Sequence, residues 1–222
     1  MNTDFTVDSI LDIFENRGYT TDSPQDIDSL RFELENVINP RKKNDKEALV
    51  VSFFGGPGSC KSIFCAESFA KLKWRGVQCE MALEWVKEKV WDNHMDIFKN
   101  QVYIFGKQYH RMFRLRNNVD VILTDSPFLM GCVYDITRDK NLHDVIVGEY
   151  KKFNTYNIFL ERNEIYDQKG RNQDESGARK LDGEIKELLF ETETEFEIVK
   201  AAEENVPVVV NNILERINYG KK

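Results

Sequence analysis

Histidine and cysteine are scarce in this chain. His94, His110 and His143 lack the spacing of a metal triad, and no Ser-His-Asp or Cys-His set accompanies them. Cys60, Cys65, Cys79 and Cys132 contain no C-x-x-C pair, which speaks against both a zinc site and a disulfide scaffold and leaves reduced thiols as the expectation. No apolar run approaches the roughly 20 residues of a membrane span. Met1-Asn2-Thr3-Asp4 also lacks the positive-then-apolar order of a signal peptide. The expectation is a cytoplasmic protein with no membrane partner. Excess positive charge is missing too. The 31 Lys and Arg face 38 Asp and Glu, a net charge of −7, which weighs against nucleic acid as a general partner and leaves open only a local basic groove. No internal repeat and no low-complexity segment interrupts the chain.

What remains is a globular composition, 41% hydrophobic and 31% charged over 222 residues. That length suits one α/β domain with appendages better than two domains. Residues 5 to 18 read as a short amphipathic helix closed by Gly18. A second helix starts at Ser23-Pro24, carries Ile27, Leu30, Phe32, Leu34 and Ile38, and stops at Asn39-Pro40. These form an N-terminal helical appendage, residues 1–46, ahead of a main domain at 47–222.

From Ala48 onward strands and helices alternate, the sequence order of a parallel sheet covered on both faces. Strands are expected at Ala48 to Phe54, Val77 to Met81, Val119 to Thr124, Thr155 to Leu160 and Val206 to Val210. Between them lie expected helices from Lys61 to Trp74, through Glu84, Lys87, Glu88 and Trp91, from Gln101 to Arg116, around 128 to 153, and from Arg179 to Glu203 as one long acidic helix.

The richest stretch joins the first strand to its helix. Gly55-Gly56-Pro57-Gly58-Ser59-Cys60-Lys61-Ser62 follows Val51-Ser52-Phe53-Phe54 and approximates G-x-x-x-x-G-K-[ST]. In that pattern backbone N–H groups surround phosphates, the lysine meets the terminal ones and the hydroxyl ligates Mg²⁺. Gly55, Gly56, Gly58, Ser59, Cys60, Lys61 and Ser62 are thus the candidate nucleotide contacts, with ATP and Mg²⁺ the expected ligands. Cys60 stands where a glycine is usual. If that residue needs positive φ its Cβ brings strain; if it is already helical the cost is small. A thiol at a helix N-terminus also raises a redox-sensing reading.

Asp125 ends a strand at the sheet edge where ligands bind. Two jobs are open to it: accepting from a water on Mg²⁺, or taking the proton of an attacking hydroxyl. Ser126-Pro127 makes a simple strand-ending turn the bland alternative. After the fourth expected strand, Arg162, Lys169, Arg171 and Arg179 are spread through a glycine-containing stretch. It reads as a lid at about 161–179, with Arg162 and Arg171 brought to the reacting phosphate, or as a plain solvated loop. Between the second and third strands Glu84, Gln108 and Arg111 are the candidate acceptor contacts. Gln108 suits a base edge and Glu84 a sugar hydroxyl, although helices carry such residues on solvent faces routinely.

The phosphate loop, Thr124-Asp125-Ser126-Pro127, and Phe159-Leu160-Glu161-Arg162 followed by Gly170-Arg171-Asn172-Gln173 together resemble the small P-loop kinase and ATPase proteins common in bacteriophages. These belong to the wider P-loop NTPase superfamily and are similar to nicotinamide riboside kinases and, more distantly, to deoxynucleoside and nucleoside monophosphate kinases. The resemblance spans about residues 48 to 218. It implies a five-stranded parallel sheet, Lys61 and Ser62 on Mg-ATP, Asp125 near the transferred phosphate, Arg162 and Arg171 in a lid, and a host cytoplasm if the source is viral. Cys60 and the N-terminal helices depart from the pattern.

The expected function is an ATP- and Mg²⁺-dependent phosphotransferase acting on a small nucleoside or nucleotide-like acceptor. Lys61, Asp125, Arg162 and Arg171 are its catalytic candidates, and Ser62 and Asp125 its metal contacts. A modified base within nucleic acid is a second acceptor class. The rival from a different class is an ATP-binding regulatory or interaction module that transfers nothing.

Overall fold

A computed structural model describes residues 47–85, 95–162 and 175–218. Outside them lie the expected N-terminal helices and their boundary at 46, the middle of the helix expected after Glu84, and the interior of the expected lid with Arg171. The described elements are β1 (Leu49–Phe54), α1 (Lys61–Trp74), β2 (Cys79–Met81), a 3₁₀ turn (Met95–Lys99), α2 (Gln101–Phe113) and β3 (Val121–Thr124). They continue with a 3₁₀ turn (Phe128–Met130), α3 (Gly131–Tyr134), α4 (Lys140–Tyr150), β4 (Thr155–Glu161), α5 (Glu175–Glu191), β5 (Glu197–Lys200), a 3₁₀ turn (Glu203–Asn205) and α6 (Val206–Arg216).

The five strands form one sheet in the order β2-β3-β1-β4-β5, and every pairing is parallel. The fold is therefore the expected α/β type, a five-stranded parallel sheet flanked by helices. β1 lies at its centre and is buried at all six positions, as a strand covered on both faces must be. Its side chains alternate between two apolar layers. Val51 and Phe53 face Phe64 and Leu72 of α1 and Val209 and Ile213 of α6, whereas Val50 and Phe54 face a layer that includes Met112, Phe128, Ile146 and Ile185. A polar knot crosses the second layer. Tyr150 Oη lies 2.6 Å from Asn157 Oδ1 and 2.8 Å from Ser52 Oγ; its single proton goes to the carbonyl oxygen, so Ser52 donates to the phenol oxygen. Among the described residues no helix is long and apolar enough to cross a membrane.

Three expected elements are corrected. Val206 to Val210 is the start of α6, not a strand. Val206, Val209, Val210 and Ile213 are buried at i, i+3, i+4 and i+7, and Pro207 sits in the first turn, so helical periodicity and an N-terminal proline outweigh the β-branched run. The fifth strand is instead Glu197–Lys200 at the sheet edge. The acidic helix is consequently shorter than expected. α5 ends where Glu193 turns to φ 54°, with the N–H of Thr194 donating to Leu189 O and that of Glu193 to Phe190 O. This is a Schellman stop made without the usual glycine. Glu84 lies in an irregular segment after β2, not in the helix expected there.

Candidate active site

The phosphate loop leaves the carboxyl end of the central strand, where sheet and helix geometry create a crevice for ligands. Gly55 at φ 139° and Gly58 at φ 85° hold backbone conformations open to glycine. Between them the loop closes on itself: Ser59 Oγ donates to Gly56 O at 2.9 Å. Cys60 then takes φ 62°, ψ 17°, and no side chain caps α1. The first branch of the sequence expectation therefore holds, since Cys60 occupies a left-handed conformation that costs a non-glycine residue about 1–2 kcal/mol. Its side chain rests against the apolar layer under α1 and α6. With neither a capping side chain nor an acidic residue in its first turn, the start of α1 presents its N–H groups and dipole to an anion. Ser62, in that turn, is exposed.

Lys61 folds back over the loop. Its ammonium donates to Gly55 O at 2.7 Å and to Gly56 O at 2.9 Å. Burial is the main influence on its pKa, lowering it from the usual 10.5 to about 8; Glu84, Asp125 and Asp182 pull upward and Arg162 downward. Those four groups act on the ammonium from four different segments.

On the β3 side, Asp125 follows the strand and Glu84 follows the adjacent β2. Asp125 Oδ1 accepts the Glu84 N–H at 3.1 Å, while Thr124 Oγ1 donates to Ala82 O at 2.8 Å and ties the two strand ends together. From α2, Gln108 Nε2 donates to Ala82 O at 3.2 Å and Arg111 Nη1 to Leu83 O at 3.1 Å. The structure thus brings Glu84, Gln108, Arg111 and Asp125 together, with the amide donor of Gln108 committed to backbone. The phenol of Tyr134 in α3, a residue 37% exposed overall, is raised to about 12 by desolvation, and the fields of Glu84 and then Asp182 add to the effect.

No protein-family model matches the chain. No curated protein matches it significantly either. Among solved structures, a deoxyadenosine kinase from M. mycoides with products dCMP and a flexible dCDP bound is similar at TM-score 0.45 and 19% identity, over 76% of this chain and 98% of the other. A deoxyadenosine kinase from M. mycoides with bound dATP is similar at TM-score 0.44 and 19% identity, with the same shares of 76% and 98%.

On the β4 side the arrangement differs from a mobile lid arginine. Arg162 stands just past β4 with its side chain 6% exposed, paired through Nε to Asp182 Oδ2 at 2.7 Å. Nη1 and Nη2 donate to Pro57 O at 3.1 Å and Ala178 O at 3.3 Å. Asp182, absent from the sequence-based candidates, is 17% exposed at its side chain and accepts the Gly56 N–H through Oδ1 at 2.6 Å. Its signal was present. The buried stripe of α5 runs through Ala178, Ile185 and Leu189, and position 182 lies on that stripe, so a carboxylate there needs a buried partner. Removing one member of a fully buried pair costs about 3–5 kcal/mol, and of this part-buried one correspondingly less.

Proposed function

We propose that this chain is an ATP- and Mg²⁺-dependent phosphotransferase whose acceptor is a small nucleoside or nucleotide. One observation carries the reading: the Lys61 ammonium is bonded to the glycine-rich loop at the uncapped start of α1 and feels the fields of two carboxylates, Glu84 and Asp125, from neighbouring strand ends. A loop for simple nucleotide binding needs the first part. Two carboxylates beside it add groups that can handle an acceptor hydroxyl and its proton.

In this reading Lys61 exchanges the Gly55 and Gly56 carbonyls for the β- and γ-phosphate oxygens of ATP. Magnesium characteristically binds through one or two carboxylates, phosphate oxygens and water, not through a full protein cage. The hydroxyl of Ser62 and the carboxylate of Asp125 fit that requirement, and no cluster of three or more His, Cys, Asp or Glu ligands occurs among the described residues. When bound, Mg²⁺ draws negative charge from the transferring phosphate oxygens. Asp125 either orders a water on the metal or receives the acceptor's proton, and Glu84 accepts from an acceptor hydroxyl. Gln108 and Arg111 hold the 82–83 backbone that presents Glu84. Arg162, and Arg171 from outside the described residues, supply positive charge near the phosphates. The catalytic domain is assigned to 47–222, the first 46 residues to an appendage, and the protein to the cytoplasm.

The test is to incubate the protein with Mg-ATP and a panel of nucleosides and nucleotides, following ADP and phosphorylated product. The expected result is ADP formation that depends on one acceptor class. Tight ATP binding with no turnover across the panel, and no gain in Cys60→Gly, would contradict phosphotransfer and favour a nucleotide-binding module.

A further inference from the structure

The C=O and N–H of a trans peptide point in opposite directions, and the peptide joining Gly55 to Gly56 is gripped at both. Lys61 Nζ donates to the Gly55 carbonyl at 2.7 Å; on the other side the Gly56 N–H donates to Asp182 Oδ1 at 2.6 Å. One half of this clamp is the ammonium that a bound phosphate draws away. The other half belongs to α5 and has no such competing task.

The same carboxylate reaches the next loop residue through an intermediary. Asp182 Oδ2 accepts from Arg162 Nε at 2.7 Å, and Arg162 Nη1 donates to Pro57 O at 3.1 Å. There is no slack around this contact. A Cβ on Gly56 would stand 2.7 Å from Ala178 O and 2.8 Å from Asp182 Oδ1, so glycine is required for the loop to approach α5 this closely.

We infer that Asp182 is a positioning residue for nucleotide binding. It holds the Gly55–Gly56 peptide directly and the Pro57 carbonyl through Arg162, keeping the loop in its binding shape when Lys61 leaves for phosphate. This rests on reading the loop as a nucleotide site. The contact lowers the cost of binding because the loop does not have to be ordered at that moment.

The experiment measures the Mg-ATP dissociation constant of the full chain by calorimetry, alongside the thermal midpoint, for the parent protein, Asp182→Ala, Asp182→Asn and Gly56→Ala. Asp182→Ala is expected to weaken Mg-ATP by about tenfold or more, the scale of a lost charge-assisted contact. Asp182→Asn, whose amide oxygen still accepts from Gly56 while its Nδ2 sets a donor against Arg162 Nε, is expected to fall between, about threefold to fivefold weaker. Gly56→Ala should weaken binding as Asp182→Ala does. If Asp182→Ala lowers the midpoint yet binds Mg-ATP within about twofold of the parent, Asp182 serves only the fold and the inference is overturned. Should Asp182→Ala not fold, a folded Gly56→Ala that binds Mg-ATP within about twofold of the parent overturns it equally. A parent protein that does not bind Mg-ATP overturns the nucleotide-site reading, and this inference with it.

Discussion

The two flanks of the central strand meet Lys61 with different kinds of carboxylate. On the β4 flank Asp182 is half-buried, paired with an Arg162 side chain that is 6% exposed, and bonded to loop backbone. On the β3 flank Glu84 is exposed and Asp125 half-buried, and Asp125 bonds the backbone of Glu84 through one oxygen. A carboxylate paired with a buried guanidinium fixes structure because moving it leaves that charge uncompensated. Carboxylates at an open edge remain accessible to metal, water or an acceptor hydroxyl. Under the proposed function, the same charge serves shape on one side and chemistry on the other.

The strongest break of this comparison is at the ammonium both flanks share. Lys61→Ala is expected to weaken Mg-ATP by about a hundredfold or more in calorimetry and to abolish turnover. A pH series sharpens the point. With its pKa lowered to about 8, the free protein's Lys61 is charged below that pH and neutral above it, so affinity should fall as pH rises through about 8. Lys61→Met should show no such fall.

Next come the open carboxylates. Glu84→Gln and Asp125→Asn are expected to lower acceptor-dependent turnover by about 10²- to 10³-fold, the scale of acid–base or metal-shell contributions. Glu84→Gln should leave Mg-ATP affinity within about threefold of the parent, and Asp125→Asn, which also removes a proposed metal contact, should lose less affinity than turnover. A variant that loses affinity and turnover in equal measure would erase the distinction between the flanks. The smallest effect is at Cys60. Replacing it with glycine relieves the left-handed backbone strain and should stabilise the fold by about 1 kcal/mol in denaturant titration, with turnover retained.

The comparison also explains what could be read in the chain. The glycine-rich loop was legible because its pattern is local: Gly55, Gly58 and Lys61 lie within eight residues on a turn where Gly55 and Gly58 take positive φ. Asp125 was legible because a strand end fixes where its carboxylate lies. Asp182 was not, since its partners Gly56 and Arg162 lie 126 and 20 residues away and only α5's buried stripe marks it. Glu193 hid the end of α5 by taking a conformation in which glycine is usual. The run Val208-Val209-Val210 favoured a strand by residue type, but the spacing of Val206, Val209, Val210 and Ile213 and a first-turn proline made it a helix. Tertiary packing decided that segment, as it does wherever propensity and periodicity disagree.

The most direct measurement of the central claim is the fate of the terminal phosphate of ATP. With γ-labelled Mg-ATP and a nucleoside or nucleotide acceptor, the account predicts that label appears covalently on the acceptor at the rate ADP forms, and that Glu84→Gln and Asp125→Asn slow both together. Label released only as inorganic phosphate, at a rate indifferent to every acceptor, would contradict it.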